Sequence, residues 1–289
     1  MFLIKLLRVN QWIKNIIIFA PLFFSINWQI QNFIELIGVF FAFSLICSTV
    51  YIFNDLVDID NDKKHPTKKF RIIASGKLKK FDAIIIMLLL ITLSILILTF
   101  YKKLFLIEII ALYLFTNFLY SFYLKKVKYF DIIILSSFYV LRLYLGSVAV
   151  DIEISKWLLA FSSLLFLSLS HLKRLNEVLK YKNTKIFGRK YTFDDINFLK
   201  LSFNTLSVLS VLVFFTYSFS AHADSLYSIN IYLQFISIFM LLTIYQINKD
   251  LFANKINDDP TIYLITNYKI LFYMFSSLLL ILLSIFNIS

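Results

Sequence analysis

Side chains with oxygen atoms are concentrated at the end of an apolar run, within Tyr-Ile-Phe-Asn-Asp-Leu-Val-Asp-Ile-Asp-Asn-Asp at 51–62. Asn54, Asp58 and Asp62 are four residues apart, and Asp55 is three residues before Asp58, so a continuing helix places them on one face. Carboxylates crowded together repel one another unless a cation compensates them. Mg²⁺ suits oxygen ligands of this kind. The predicted metal ligands are Asn54, Asp55, Asp58 and Asp62.

The alternative to a metal site is that these acids form a solvated helix end, at the start of a loop, and have no function. Asn54 and Asp55 argue against it, because they directly follow apolar residues, where a charge without a function would be costly.

A cationic stretch follows the acidic one, with eight Lys and Arg residues between 63 and 80. Contact with anionic lipid headgroups explains much of it. Lys68 and Arg71 lie between the acids and the small turn Ala74-Ser75-Gly76, whose backbone amides can approach an anion closely. We therefore predict that Lys68 and Arg71 bind phosphate.

Three further groups of polar residues could line a site. Lys173-Arg174 with Glu177 is explained by a helical ion pair alone, but it occupies the loop equivalent to the acidic one. The N-terminal Arg8, Gln11, Trp12, Lys14 and Asn15 suit either an amphipathic surface helix or a second wall of the site. Arg142 lies deep in an apolar segment, where an arginine is costly unless it faces a cavity or a partner.

The elements that carry these residues are membrane helices. Sixty per cent of the residues are apolar and only 16% are charged, far from the composition of a soluble domain. A helix of about 20 apolar residues spans the hydrocarbon layer. The sequence predicts an all-α polytopic protein, with nine transmembrane helices in a single domain over 1–289. The windows are 15–31, 33–53, 81–101, 103–124, 130–150, 155–172, 197–221, 227–247 and 268–287.

The basic residues predict the orientation. With a cytoplasmic N-terminus, 24 Lys and Arg residues fall on the cytoplasmic side and three, Lys102, Lys103 and Lys156, on the other. This asymmetry explains most of the net charge of +12 without any nucleic acid. It places two long polar loops, 57–80 and 173–196, on the cytoplasmic face of the inner membrane.

The acidic segment resembles the first aspartate-rich motif of the UbiA superfamily of membrane prenyltransferases. Further blocks, in the same order, resemble its decaprenyl-phosphate phosphoribosyltransferase branch. They are Arg8-x-x-Gln11-Trp12-x-Lys14-Asn15, Phe19-Ala-Pro-Leu-Phe-Phe24, His65-Pro-Thr-Lys68-x-x-Arg71-x-Ile-Ala-Ser-Gly76, Tyr120-Ser121 with Lys125, Leu141-Arg142 with Gly146, Lys173-Arg174-x-x-Glu177 and Asp259-Pro260.

The resemblance implies a UbiA-like helical bundle with a cytoplasmic polar cap. It also implies Mg²⁺-dependent transfer of a phosphoribosyl group from phosphoribosyl pyrophosphate to a polyprenyl phosphate in the bilayer. The implied donor-binding residues are Lys14, Lys68, Arg71, Lys125, Lys173, Arg174 and Glu177. The residues expected to line the substrate are Arg8, Gln11, Asn15, Tyr120 and Arg142.

The chain departs from the family pattern at several positions. Val9 and Ile72 replace usual prolines, and His171 replaces what is more often a small residue. The second aspartate pair of the prenyl-diphosphate enzymes is absent, and Lys173-Arg174-x-x-Glu177 stands in its place, which favours the phosphoribosyl branch.

Three other functions are alternatives. The absence of the second acidic motif counts against an aromatic prenyltransferase. A transporter would place ionisable residues deep in several helices, whereas here Arg142 and Glu108 are the main deep ones. A non-catalytic lipid-binding subunit stays open, as does a homo-oligomer.

Overall fold

The computed structural model describes residues 2–65, 67–180, 190–253, 255–256 and 259–285. Among these residues every regular element is a helix. Seven helices are long and apolar enough to cross a membrane. The prediction of an all-α, multi-pass membrane protein is confirmed. The part of the second long loop from 181 to 189 lies outside the described residues, as does Pro66 of the cationic stretch.

The α-helices are α1 (Phe2–Leu6), α2 (Ala20–Ser25), α3 (Ile30–Val57), α4 (Ile59–Lys64), α5 (Lys80–Phe100), α6 (Leu106–Phe122), α7 (Phe130–Ala149), α8 (Lys156–Lys180), α9 (Ile196–Tyr217), α10 (Ala221–Leu226), α11 (Ile231–Phe252), α12 (Pro260–Thr266) and α13 (Tyr268–Ile285). The 3-10 helices are Val9–Phe19, Lys68–Phe70, Leu124–Lys126 and Phe193–Asp195.

The predicted count of nine spanning helices is not confirmed. The window at 15–31 contains the end of the 3-10 helix Val9–Phe19 and the short helix α2. Pro21 lies in the first turn of α2, where its missing N–H is tolerated, whereas inside a continuous α-helix it would break a hydrogen bond. The window at 103–124 contains α6, whose 17 residues extend only about 26 Å, short of a hydrocarbon core of about 30 Å.

The chain divides into two compact units, and the first comprises Met1–Val127 and Leu141–Ile154. Its central element is α3, which packs against α5, α6 and the 3-10 helix Val9–Phe19. The apolar residues of α3 are largely buried, whereas those of α5 are mostly exposed. Helix α3 is therefore the core of this unit, and α5 presents an apolar surface of the kind that lipid covers.

Serine side chains on α3 bond to the N-terminal segment. Trp12 Nε1 donates to Ser48 Oγ at 3.0 Å, and Ser48 Oγ donates to the backbone oxygen of Leu7 at 2.8 Å. Polar groups inside an apolar medium need partners of this kind. These hydrogen bonds hold the N-terminal segment against α3.

Gly146 lets the second half of α7 approach the same 3-10 helix. A Cβ atom at this position would lie 1.9 Å from the backbone oxygen of Ile18. Only glycine permits this distance, because any larger residue would push the two backbones apart. The first unit is thus built around a close backbone contact.

The second unit comprises Lys128–Val140 and Ser155–Ser289. Helix α8 packs on α9, α9 on α11, and α11 on α13, while α12 contacts α8 and α13. Its core contains Leu172, Leu175, Leu199, Phe203 and Leu251, all almost fully buried. The single domain expected over 1–289 stays a prediction.

Candidate functional site: an acidic cluster with its own cations

The predicted metal ligands lie where α3 gives way to α4. Asn54 and Asp55 belong to the last turn of α3, and Asp62 lies in α4. Asp58 separates the two helices, with φ −96° and ψ 12°, so the expected continuous helix is interrupted there. Helical hydrogen bonds nevertheless continue through Asp58. Its backbone N–H donates to the backbone oxygen of Asn54, and the backbone N–H of Asp62 donates to the backbone oxygen of Asp58. Asn54, Asp58 and Asp62 therefore still follow one another by one helical turn.

Arg71 joins two of the acids. Its Nη1 donates to Asp55 Oδ1 at 3.0 Å and to Asp62 Oδ2 at 2.7 Å. Both carboxylates are nearly inaccessible, with 9% and 4% of the side chain exposed, whereas 29% of the Arg71 side chain is exposed. The two carboxylates therefore converge on one cationic nitrogen that borders the surface.

Burial and Arg71 act in opposite directions on Asp62. Burial raises the pKa of the Asp62 carboxyl above its ordinary value, and the nearby positive charge of Arg71 opposes that rise. A buried carboxylate is stable only with such a compensating charge. Asp62 thus depends on a cation at this position.

Arg8 brings a second guanidinium to the same oxygen. Its Nη2 donates to Asp55 Oδ1 at 2.6 Å, and its guanidinium carbon lies 5.0 Å from the centre of the Tyr51 ring. The Arg8 backbone is left-handed, with φ 50° and ψ 48°, a conformation uncommon for a residue with a long side chain. The turn at Arg8 connects α1 to the 3-10 helix that follows.

Lys125 and Ser121 contact the remaining two residues of the acidic cluster. Lys125 Nζ lies 2.8 and 2.9 Å from the two carboxylate oxygens of Asp58. The Ser121 hydroxyl donates to Asn54 Oδ1. The acidic cluster, defined as Asn54, Asp55, Asp58 and Asp62, is therefore surrounded by three cations of the first unit.

The donor set fits a magnesium ion bound together with phosphate. No three His, Cys, Asp or Glu side chains within the described ranges are grouped closely enough to hold a metal by themselves. Mg²⁺, however, is usually held by one or two carboxylates, with waters and substrate phosphate oxygens completing its shell. Asp55 and Asp62 supply such a pair, and a cationic nitrogen already lies between them.

The other predicted residues of the first unit lie on the elements around this cluster. Lys14 and Asn15 are buried and Gln11 is half-buried, all in the 3-10 helix Val9–Phe19. Tyr120 is buried near the end of α6.

Lys68, the other predicted phosphate-binding residue of the loop, is half-buried. Its backbone N–H donates to His65 Nδ1 at 3.3 Å, so the His65 side chain helps to fix the conformation of this turn.

Arg142 and Asn15, both predicted to line substrate, bond to each other. Arg142 Nε donates to Asn15 Oδ1 at 2.8 Å, and Asn15 Nδ2 donates to Ser44 Oγ at 2.9 Å. The Arg142 guanidinium carbon also lies 5.3 Å from the Phe43 ring centre. Arg142 is thus a buried link from α7 to the 3-10 helix, and its contact with substrate stays a prediction.

The predicted residues of the second unit form a cluster of their own. Arg174 Nε donates to Asp131 Oδ2 at 2.6 Å, and its Nη1 donates to Glu177 Oε2 at 2.7 Å. The side chains of Arg174 and Asp131 are fully buried. The helical ion pair of Arg174 with Glu177, the alternative to a phosphate-binding role, is present, and Arg174 binds two carboxylates inside the unit. Phosphate binding by Arg174 stays a prediction. Lys173, beside it on α8, is half-buried.

Sequence reasoning missed several members of these clusters. Tyr191 donates its hydroxyl to Asp131, and Lys128 Nζ lies 2.6 Å from Asp195 Oδ1. Burial, together with the bond to Asp131, raises the pKa of Tyr191 well above its ordinary value. The bond to Asp195 raises the pKa of Lys128. Asp131 carried a usable signal, since it opens an apolar run just as Asp55 closes one.

Residues 16–250 match the UbiA prenyltransferase family. The chain belongs to this family. The resemblance inferred from the motifs is thereby confirmed, and the protein is a multi-pass membrane member of the UbiA family.

Two curated relatives of this UbiA protein carry the same name. The decaprenyl-phosphate phosphoribosyltransferase of Corynebacterium glutamicum is 35% identical over 192 residues, which cover 65% of this chain and 58% of the relative. That of Mycolicibacterium smegmatis is 35% identical over 170 residues, covering 56% and 53%. The chain thus spans a little over half the length of these two relatives.

A solved structure shows the same fold. A UbiA homolog from Archaeoglobus fulgidus, bound to DMAPP and Mg²⁺, superposes with a TM-score of 0.67 at 16% identity. The match covers 98% of this chain and 97% of the homolog. At this identity the likeness establishes the UbiA fold alone.

Proposed function

We propose that this UbiA protein transfers a 5-phosphoribosyl group from phosphoribosyl pyrophosphate to a polyprenyl phosphate, with Mg²⁺, and releases diphosphate. The observation that carries the proposal is the acidic cluster within reach of Arg8, Arg71 and Lys125. Acids that hold a metal beside cations that hold phosphates suit a polyphosphate donor.

The choice of donor has separate support. A prenyl-diphosphate enzyme of this superfamily is expected to have a second aspartate pair, and this chain has Lys173-Arg174-x-x-Glu177 there. Relatives at 35% identity are named as phosphoribosyltransferases. Both points favour phosphoribosyl pyrophosphate over a prenyl diphosphate.

The reaction exchanges one bond for another at the anomeric carbon of the ribose. An oxygen of the lipid phosphate forms the new bond, and the bond to the diphosphate oxygen breaks with its electron pair leaving on diphosphate. Because the attacking phosphate is already an anion, no general base has to remove a proton. We expect attack opposite the diphosphate, with inversion at that carbon.

The protein's part is positioning and charge neutralisation. Arg8, Arg71 and Lys125 would bind the phosphate oxygens as negative charge grows on the departing diphosphate. Asp55 and Asp62, with Asp58 and Asn54 beside them, would hold Mg²⁺, which supplies further neutralisation of that leaving group. The lipid tail would lie against apolar helix surfaces in the bilayer.

The positive-inside pattern supports a location in the cytoplasmic membrane with the acidic cluster facing the cytoplasm. Phosphoribosyl pyrophosphate, a soluble anion, would then reach the cluster from the cytoplasm.

The proposal is tested in membranes that contain the protein, supplied with ribose-labelled phosphoribosyl pyrophosphate and polyprenyl phosphate. Label should enter a butanol-extractable lipid when Mg²⁺ is present and fail to do so with a chelator. Asp58→Asn should reduce this transfer by about 100-fold, the usual effect of removing one strong electrostatic group from a site. Lys173→Ala should also reduce it.

Asp60→Asn is the matched control. Asp60 is an exposed neighbour in α4, so its substitution changes the same charge without touching the acidic cluster. Equal activity of the Asp58 and Asp60 variants would refute the role of the cluster.

A further inference from the structure

Two arginines share one oxygen of the acidic cluster. Asp55 Oδ1 accepts a hydrogen bond from Arg8 Nη2 at 2.6 Å and another from Arg71 Nη1 at 3.0 Å. Arg71 extends to Asp62 at 2.7 Å. Two positive charges therefore balance the two buried negative charges of Asp55 and Asp62.

We propose that Arg8 and Arg71 prevent free Mg²⁺ from binding to this cluster. Their ion pairs with Asp55 and Asp62 break, and the carboxylates bind the metal, only when Mg²⁺ arrives together with a diphosphate group. This inference deepens the proposed function, because it describes how the same site takes its donor. It assigns to the two arginines a positioning role in metal uptake as well as in phosphate binding.

Geometry supports competition between Arg71 and the metal. Mg²⁺ binds carboxylate oxygens at about 2.0–2.1 Å. The Arg71 nitrogen contacts one oxygen of Asp55 and one oxygen of Asp62, the two carboxylates that would supply those bonds. A metal ion bound to both carboxylates would lie close to that guanidinium, and the two positive charges would repel each other unless Arg71 moved away.

Charge explains why diphosphate would favour the exchange. Free Mg²⁺ would displace two arginines and leave their charges near its own. When diphosphate is present, each displaced guanidinium gains phosphate oxygens, which guanidinium groups bind strongly. The cost of breaking the ion pairs is then offset by new ones.

The arginine side chains are more exposed to solvent than the carboxylates they contact, as an exchange of arginine partners from carboxylate to diphosphate requires. The side chains of Arg8 and Arg71 are 26% and 29% exposed, whereas those of Asp55 and Asp62 are 9% and 4% exposed. An incoming anion can therefore reach these two cations more easily than the acids that they contact. The acids behind them become available after the cations turn outward.

The test is calorimetry on the purified full chain in detergent, with MgCl₂ alone, inorganic diphosphate alone, and diphosphate at a fixed Mg²⁺ concentration. In the wild type, Mg²⁺ should strengthen the binding of diphosphate, and diphosphate should strengthen the binding of Mg²⁺ by the same factor, since coupling between two ligands is reciprocal. We expect each dissociation constant to fall about 10-fold, within the usual range for such coupling. Independent binding of the two would overturn the proposal.

Substitution of Arg71 gives a more specific test, because it should change the affinity for Mg²⁺ alone and the affinity for Mg²⁺ with diphosphate in opposite directions. Arg71→Ala should tighten the binding of Mg²⁺ alone by about 10-fold, the factor expected for the coupling itself, and weaken the binding of Mg²⁺ with diphosphate. Arg8→Ala should act in the same directions and serves if the Arg71 variant does not fold. Unchanged or weaker binding of Mg²⁺ alone in both variants would contradict the inference.

Lys77→Ala is the matched control for general electrostatics. Lys77 is an exposed cation of the same loop, so its loss changes the net charge equally without freeing a carboxylate, and it should leave the affinity for Mg²⁺ alone unchanged. A tightening equal to that of Arg71→Ala would overturn the proposal. Inorganic diphosphate is common to prenyl and phosphoribosyl donors, so this test and the donor assignment can fail separately.

Discussion

Arg174 is a charged residue in the interior of the second unit. Its guanidinium is fully buried and donates to Asp131 and Glu177. The family motif predicts that Arg174 binds phosphate, and the structure shows that it also binds two carboxylates inside the second unit. The ion pairs connect α8 to the start of α7, and removal of the guanidinium would leave a carboxylate charge buried without compensation.

We predict that Arg174→Ala lowers the stability of the protein. The substitution leaves the Asp131 carboxylate buried beside a cavity, and breaking a buried ion pair in this way costs about 3–5 kcal/mol. Thermal unfolding in detergent would show this as a large drop in the unfolding temperature. Arg174→Lys should recover only part of it, since one ammonium group cannot reproduce the two-sided geometry of a guanidinium.

Lys249→Ala serves as the comparison for Arg174, because Lys249 is an exposed cation on α11 of the same unit. If Arg174→Ala unfolds at the wild-type temperature but loses transfer activity, Arg174 acts on substrate and its structural role is refuted.

At this scale, spacing in the sequence identified the residues but not their partners. Asn54, Asp55, Asp58 and Asp62 could be found because acids next to an apolar run are rare and costly. The ion pairs of Arg8 with Asp55 and of Lys125 with Asp58 join residues 47 and 67 positions apart. No helical periodicity relates positions so distant, so these pairs follow from tertiary packing alone.

Among the helices, the segment Val9–Phe19 differs most from its prediction. A 3-10 helix of 11 residues is unusually long, since its hydrogen bonds are poorer than those of an α-helix. Apolar windows predict the long helices well, because burial of side chains in lipid depends on length and composition. They could not predict this element, whose form depends on contacts with Ser48, Arg142 and Gly146.

We predict that Gly146→Ala destabilises the first unit more than Gly38→Ala does. The new Cβ at 146 would meet a backbone oxygen at 1.9 Å, whereas the one at 38 would meet the ring of Tyr101 at 2.4 Å. A side chain can rotate aside, but the backbone of the 3-10 helix cannot move without disturbing Asn15 and Lys14. Overpacking of this kind costs about 1–3 kcal/mol.

Thermal unfolding of the two glycine variants provides the measurement, with transfer activity as a second readout. Equal stability of the two variants would mean that the 3-10 helix can move away from α7 without cost.

The whole molecule has an asymmetric charge that predicts which loops face the cytoplasm. A cysteine-labelling experiment can test this, because the native Cys47 is buried and should react little. Lys77→Cys and Lys102→Cys place a thiol at exposed positions in loops predicted to lie on opposite sides of the membrane. In intact spheroplasts a membrane-impermeant maleimide should label the cysteine at 102 and leave the one at 77 unlabelled until the cells are broken. The reverse pattern would invert the orientation.

The identity of the donor substrate decides which reaction the whole molecule catalyses. The most direct measurement gives the purified protein, with Mg²⁺, two substrate pairs in parallel: phosphoribosyl pyrophosphate with polyprenyl phosphate, and polyprenyl diphosphate with an aromatic acid. Mass spectrometry of the extracted lipids reads both products. We predict a phosphoribosylated polyprenyl phosphate from the first pair and no prenylated aromatic from the second. Formation of the prenylated aromatic, with no phosphoribosyl lipid, would contradict the account.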